Sequence, residues 1–170
     1  MGELTVEKAK QLLRLNNVQE NVFVHCLKVS QYAKEIAKKI KDNGHEVDLD
    51  FVETAALTHD IGRSKTNDIK HAIAGCEILK DHPRHARACR HHIGAGLTKE
   101  EAKQLGLPAE DYLPQTLEEE IVAYADKLVD GDKRISIHES IKKFEKRLGK
   151  GHPALARIVK LHMRMQELMH

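Results

Sequence analysis

The chain has no tryptophan, only three tyrosines and three phenylalanines, and three cysteines in 170 residues. Cys26, Cys76 and Cys89 are odd in number, scattered, and nowhere spaced as CxxC. That excludes a disulfide framework and fits reduced core thiols in a cytosolic protein. Long apolar runs are missing too. No stretch approaches the roughly 18 residues that a membrane helix needs, and the charged opening from Met1 to Glu7 carries no apolar leader. The expected location is cytoplasmic. An excess of one charge is also absent: 28 Lys and Arg against 26 Asp and Glu leave a net charge of +2. This removes any general electrostatic case for nucleic acid, although a local basic patch is compatible with it. Strand-like alternation is lacking, so the 41% hydrophobic and 32% charged composition reads as a helical protein of one-domain size.

Histidine is what the chain has in abundance, with 12 copies. His45, His152 and His170 lie in turn-like or terminal sequence and His82 precedes Pro83, so these are read as exposed. Three- and four-residue apolar spacing predicts helices over about Thr5–Leu15, Val18–Lys41, Leu49–Asp60, His71–Lys80 and Pro83–His92. It continues over about Lys99–Leu105, Leu117–Asp130, Glu139–Leu148 and Pro153–Met169, with glycine-containing breakers between most of them. Thr98 with Glu101 fits a capping box. The expectation is one all-α helical bundle over 1–170, with a motif-bearing core at about 20–130 and a helical extension at 131–170.

Chemistry enters at Thr58-His59-Asp60-Ile61-Gly62-Arg63, where an adjacent His-Asp pair closes an apolar run. Burying an imidazole beside a carboxylate is costly unless something binds them. His25 occupies the step between Val22 and Val29, and Asp126 sits between Val122 and Val129, so both point inward with those stripes. The bland alternatives are a satisfied core histidine for His25 and an ion pair with Lys127 or Arg134 for Asp126. Taken together, His25, His59, Asp60 and Asp126 make a two-nitrogen, two-oxygen set suited to a divalent metal. His71, His91 and His92 form a second cluster able to hold a second ion. Helical phase favours His92 over His91, and both stay open. His85 is read as a surface residue.

These motifs resemble the HD superfamily of metal-dependent phosphohydrolases, all-α bundles whose ligands are a histidine, a His-Asp pair and a distant aspartate. The matching elements are His25 in Phe23-Val24-His25-Cys26, His59-Asp60-Ile61-Gly62 as the HDIG variant, and Asp126 in Ala125-Asp126-Lys127. His71 in His71-Ala72-Ile73-Ala74-Gly75 is similar to the added histidine of the two-metal branches, and His91-His92 to their next histidine element. Ile93-Gly94-Ala95-Gly96 stands where the cyclic dinucleotide phosphodiesterases carry Gly-Tyr-Pro, so the resemblance does not extend to that substrate. Position 21 is Asn21, where some relatives have a glutamate ligand.

The resemblance implies phosphate-ester hydrolysis by metal-activated water on a small phosphorylated substrate, a nucleotide being the superfamily-level expectation. The donor set points to one or two ions of Mn²⁺, Fe²⁺, Co²⁺ or Ni²⁺. Arg63 and Lys65, just after the His-Asp pair, and Lys127 beside Asp126 are candidate phosphate contacts, with Asp60 also orienting water. The substrate pocket is expected from loops around Gly94–Gly96 and Leu105–Pro114. The basic run Lys142–Arg147 is read as a solvated helix face, which argues against nucleic acid as partner. The alternative is a regulatory module that binds metal and nucleotide without turnover. An apolar-leaning strip at Leu161, Arg164 or Met165, and Leu168 would close the core or a dimer, so an oligomer is compatible with the sequence.

Overall fold

A computed structural model describes residues 3–170. Met1 and Gly2, where the charged opening stretch begins, lie outside that range. Thr5 opens α1 (Val6–Leu15) by accepting the Lys8 amide. α2 (Glu20–Asp42) buries Val22, Val29, Ala33, Ile36 and Ile40 along one side, as their spacing requires. Asp48 caps α3 (Leu49–Thr58), and the chain then tightens into a 3₁₀ turn at Ile61–Ser64. α4 (His71–Ile78) and α5 (Pro83–His91) follow, the latter opened by a proline that needs no amide partner there. The Thr98–Glu101 capping box opens α6 (Lys99–Gln104), and α7 (Leu117–Lys127) comes next. A second capping box, Ser136 with Glu139, opens α8 (Ile137–Leu148), and α9 (Pro153–Met169) ends the chain.

The fold is all-α, with one small departure from the sequence expectation. The seventh helix, expected to reach Asp130, stops at Lys127 and gives way to an antiparallel hairpin of β1 (Val129–Asp130) and β2 (Lys133–Arg134). Asp130 pairs with Lys133, so the loop is Gly131-Asp132, and Gly131 takes a φ of +59° that favours glycine. Strands of two residues are too short to show alternation, which is why periodicity missed them.

α2 packs along α3 and α7, α9 crosses α7 and α2, α8 pairs with α9, and α4 lies on the 3₁₀ turn and α5. Small residues at the contacts (Ala33, Ala55, Ala56, Ala123 and Ala125, all buried) let these helices approach closely. Leu161 and Met165 are buried in the main core, while Arg164 turns out to Glu120, so the last helix closes the core. Among the described residues no helix is long and apolar enough to cross a membrane.

One buried carboxylate fixes α5 against α7. Glu119, 2% exposed, accepts hydrogen bonds from His91 Nδ1 at 2.7 Å, the Gln115 amide at 2.8 Å and Arg87 Nε at 2.9 Å. Burial pushes its carboxyl up, but these donors outweigh burial and hold it below the ordinary glutamate value of 4.5. A carboxylate whose pKa falls on folding stabilises the protein above its unfolded value, and that contribution is lost as pH falls through the folded value. Glu119→Gln is therefore expected to cost about 1–3 kcal/mol near neutrality. The gap to wild type should shrink as pH drops well below 4.5. Denaturant unfolding at both pH values checks this, and a gap that does not change with pH would contradict it.

Candidate metal centre

Five helical elements end at or run past one point. His25 comes from the second turn of α2, His59 caps the C-terminus of α3 and Asp60 follows it, His71 is the first residue of α4, His92 caps α5, and Asp126 lies in the last turn of α7. The glycine two residues after the His-Asp pair makes this approach possible. A Cβ on Gly62 would fall 1.8 Å from the His71 carbonyl oxygen and 2.5 Å from the Gly75 amide. Only glycine lets the start of α4 lie that close to the 3₁₀ turn. Gly75 answers it from the other side, since a Cβ there would meet Cys89 Sγ at 2.3 Å.

The imidazoles are oriented by their Nδ1 atoms, each of which faces a backbone carbonyl. His25 Nδ1 donates to Gly131 O at 2.8 Å, His59 Nδ1 to Ala56 O at 2.6 Å, His71 Nδ1 to Asp68 O at 2.7 Å, and His92 Nδ1 to Cys89 O at 2.5 Å. A carbonyl only accepts, so these partners assign the proton to Nδ1 and leave a lone pair on Nε2 of each neutral ring. The four Nε2 atoms then converge around Asp60 and Asp126. His25 and His59 Nε2 lie 3.0 and 3.2 Å from Asp126 Oδ1, and 3.9 and 3.6 Å from Asp60 Oδ2. The other oxygen, Asp60 Oδ1, lies 3.1 Å from His71 Nε2 and 3.3 Å from His92 Nε2, which are 3.1 Å from one another.

Acceptor atoms at such distances repel unless a proton or a cation stands between them. His59 Nε2 and Asp60 Oδ1 are buried with no hydrogen-bond partner among the described residues. Burial drives His92 down to about 4, reinforced by its imidazole neighbours and only partly opposed by Asp60, so at neutral pH its Nε2 is a lone pair. His25 moves the other way: burial lowers it, but its bond and attraction to Asp126 together with Asp60 raise it overall. Burial also opposes ionisation of Asp60 and Asp126. It is outweighed by His59, His71 and His92 around Asp60, and by Lys127, His59 and His25 around Asp126, and both carboxyls are held well below the usual range. Ionised oxygens and imidazole nitrogens aimed at common points form a donor set that could hold a divalent transition ion. Thiolate is excluded from it: burial pushes Cys26 and Cys89 well up, and Cys89 Sγ donates to His59 O.

This cluster floors a cleft of about 420 Å³. Arg63 lines it and holds Asp60 Oδ2 through Nε at 2.9 Å. Lys127, 7% exposed, lines it too and donates to Asp126 and to His92 O, so the ion pair weighed for Asp126 is present as well as the histidines. Arg134 pairs with Glu35 instead. Four expectations need correction. Lys65 is exposed and does not line the cleft, because the 3₁₀ turn leaves it on the outer side. His91 turns away from the cluster to Glu119, since consecutive residues at the end of α5 point in different directions. His85 is buried, its Nε2 2.8 Å from Thr54 Oγ1, and burial pushes it down to about 4. Of the expected pocket loops, Gly94 lines the cleft but Leu105–Pro114 does not; Leu107 and Tyr112 belong to a separate small core.

The missing wall comes from α8. Ser140, Lys143, Phe144 and Arg147 line the cleft at three- and four-residue steps; the last three fall in the Lys142–Arg147 run, whose lysines and arginine are exposed as a solvated face requires. Gly131 is the other residue that sequence reasoning missed, and its carbonyl holds His25.

Comparison with known proteins agrees with this geometry. The family model described as the HD domain matches residues 22–130. An uncharacterised protein of Methanocaldococcus jannaschii is 52% identical over 96% of this chain and 98% of its own length. A protein of Picrophilus torridus named tRNA (cytidine(56)-2'-O)-methyltransferase is 41% identical over 95% of this chain, which spans 46% of that protein. Among solved structures, the HD domain of the L. monocytogenes phosphodiesterase PgpH shares the fold, with a TM-score of 0.54 at 18% identity over 94% of this chain and 99% of that one.

Removing a converging nitrogen should cost more metal affinity than the about 10–100-fold typical of an outer hydrogen-bond partner. His59→Ala is thus expected to lose Mn²⁺ or Co²⁺ in equilibrium dialysis. Gly62→Ala, by forcing α4 away, should lose both metal and about 1–3 kcal/mol of stability. Full metal loading in either variant would refute the assignment.

Proposed function

The chain belongs to the HD-domain family, and from that premise we propose that it is a metal-dependent phosphohydrolase acting on a small phosphate ester, a nucleotide in the first instance. The observation that carries this reading is the convergence of imidazole lone pairs and ionised carboxylates on the floor of a cation-rimmed cleft. His25, His59 and Asp126 with Asp60 Oδ2 would hold one ion, and His71 and His92 with Asp60 Oδ1 a second, Asp60 standing between them. A divalent cation held there supplies Lewis acidity toward a phosphoryl oxygen and acidifies water.

The protein's own groups do the rest. Arg63 spends Nε on Asp60 Oδ2 and Nη1 on Asn67 O, leaving further N–H groups for a phosphoryl oxygen in the cleft. Through the same bond Arg63 fixes the Asp60 carboxylate, which orients the attacking water. Lys127 is committed to Asp126 and His92 O, so it is a positioning residue that offsets carboxylate charge and ties α7 to the end of α5. The phosphodiesterase named among the fold neighbours supports phosphate-ester cleavage at the level of fold. A second substrate arm follows from the Picrophilus relative, whose name concerns tRNA: an RNA-derived phosphate belongs in the same assay panel.

Phosphate release from nucleotides, aryl phosphates and terminally phosphorylated oligoribonucleotides is measured with added Mn²⁺, Co²⁺ or Ni²⁺. Chelation should abolish it. Asp60→Asn should lower kcat by at least about a hundredfold, the equivalent of several kcal/mol of transition-state stabilisation. Nucleotide binding with no release under any metal would instead identify the non-catalytic module.

A further inference from the structure

α8 lies beyond the family match at 22–130, yet it builds one wall of the cleft. On the hydrolase reading above, we infer that the cleft side of α8 selects a nucleotide carrying a second phosphate, with the base on Phe144 and that phosphate on Arg147.

The wall runs outward from the metal floor in a fixed order. Lys127 Nζ, which is bonded to Asp126, stands 6.0 Å from the centre of the Phe144 ring. Arg147 lies one turn further along α8, its guanidinium carbon 5.7 Å from the same ring. A phosphate on the floor, a planar base at Phe144 and an anion at Arg147 therefore follow one another along the cleft. Aromatic faces take bases of any identity by stacking.

The charge balance says what Arg147 is for. Arg63 is paired with Asp60, Lys127 with Asp126, and Lys143 with Asp130 at 2.5 Å. Arg147 is the cleft cation without a carboxylate partner among the described residues. Two turns earlier on the same face, Ser140 is 0% exposed and its hydroxyl has no hydrogen-bond partner among the described residues. A buried hydroxyl left in that state is destabilising unless a ligand completes it. The volume of about 420 Å³ suits a nucleotide rather than a folded RNA.

The test compares kcat/KM of the metal-loaded full chain for adenosine 3',5'-bisphosphate, adenosine 5'-monophosphate, ribose 5-phosphate and a short oligoribonucleotide. Calorimetric titration of the bisphosphate into chelator-treated protein runs alongside. The bisphosphate should be preferred over the monophosphate by about tenfold or more, the usual order for a charge-assisted phosphate contact. Arg147→Ala should bring that ratio close to one, with Arg147→Lys recovering part of it. Phe144→Leu should reduce the preference for adenosine phosphates over ribose phosphate. Arg147-dependent calorimetric binding without turnover of any substrate would sustain the wall and sink the hydrolase. Turnover whose ratios ignore Arg147 and Phe144 would sink the wall alone. Preference for the oligoribonucleotide would overturn the small-nucleotide assignment, and neither binding nor turnover would overturn both.

Discussion

Lone pairs pressed against lone pairs are the constraint on which this molecule is organised. Four imidazole nitrogens and the oxygens of two carboxylates sit at separations of 3.0 to 3.9 Å, each imidazole oriented by a carbonyl that accepts from its Nδ1. Alone, such a cluster opposes folding, because burying unpaired charge and unsatisfied acceptors costs several kcal/mol. The helices around it are packed tightly enough to impose it. Alanine contacts between α2, α3 and α7, and the touching glycines Gly62 and Gly75, leave the ligating side chains little room to separate. A cation bound only by the folded chain reverses the sign of the cluster's contribution and adds its binding energy to stability.

The way each ring is held explains which parts of this could be read from the amino-acid order. His59, His71 and His92 each donate Nδ1 to the carbonyl three residues earlier, a local contact that helix ends supply. Apolar phase places His25, His59, Asp60 and Asp126 on inward stripes of three- and four-residue steps, but it does not say how each ring is turned. His91 against His92 was undecidable at that level, because one residue of helical rotation separates a position facing His71 and Asp60 from the Glu119 partner. Tertiary packing of α5 on α7 settles it. Lys65 misled because nearness in sequence to the His-Asp pair does not fix direction: the 3₁₀ turn ends at Ser64 and leaves Lys65 exposed.

Non-local parts were invisible. His25 is oriented by Gly131, 106 residues away, through a hairpin whose strands are two residues long. No periodicity reports such a contact. Nor does composition distinguish a basic helix face that borders a cleft from one that does not, since Lys142, Lys143, Lys146 and Arg147 are all exposed and of these Lys143 and Arg147 line the cleft. The cleft wall was legible only as a spacing, Ser140, Lys143, Phe144 and Arg147, with nothing in the sequence to say what it faced.

These non-local contacts also join the two halves of the site. Asp130 pairs with Lys143 of α8 and precedes Gly131, whose carbonyl sets the His25 ring. The Lys143–Asp130 pair is half-exposed, so its own contribution to stability is small. Its position matters more than its strength, because it ties α8 to the turn that orients the His25 ring. The segment beyond the family match therefore belongs to the same cleft, and the hairpin joins α8 through Asp130 to His25 through Gly131.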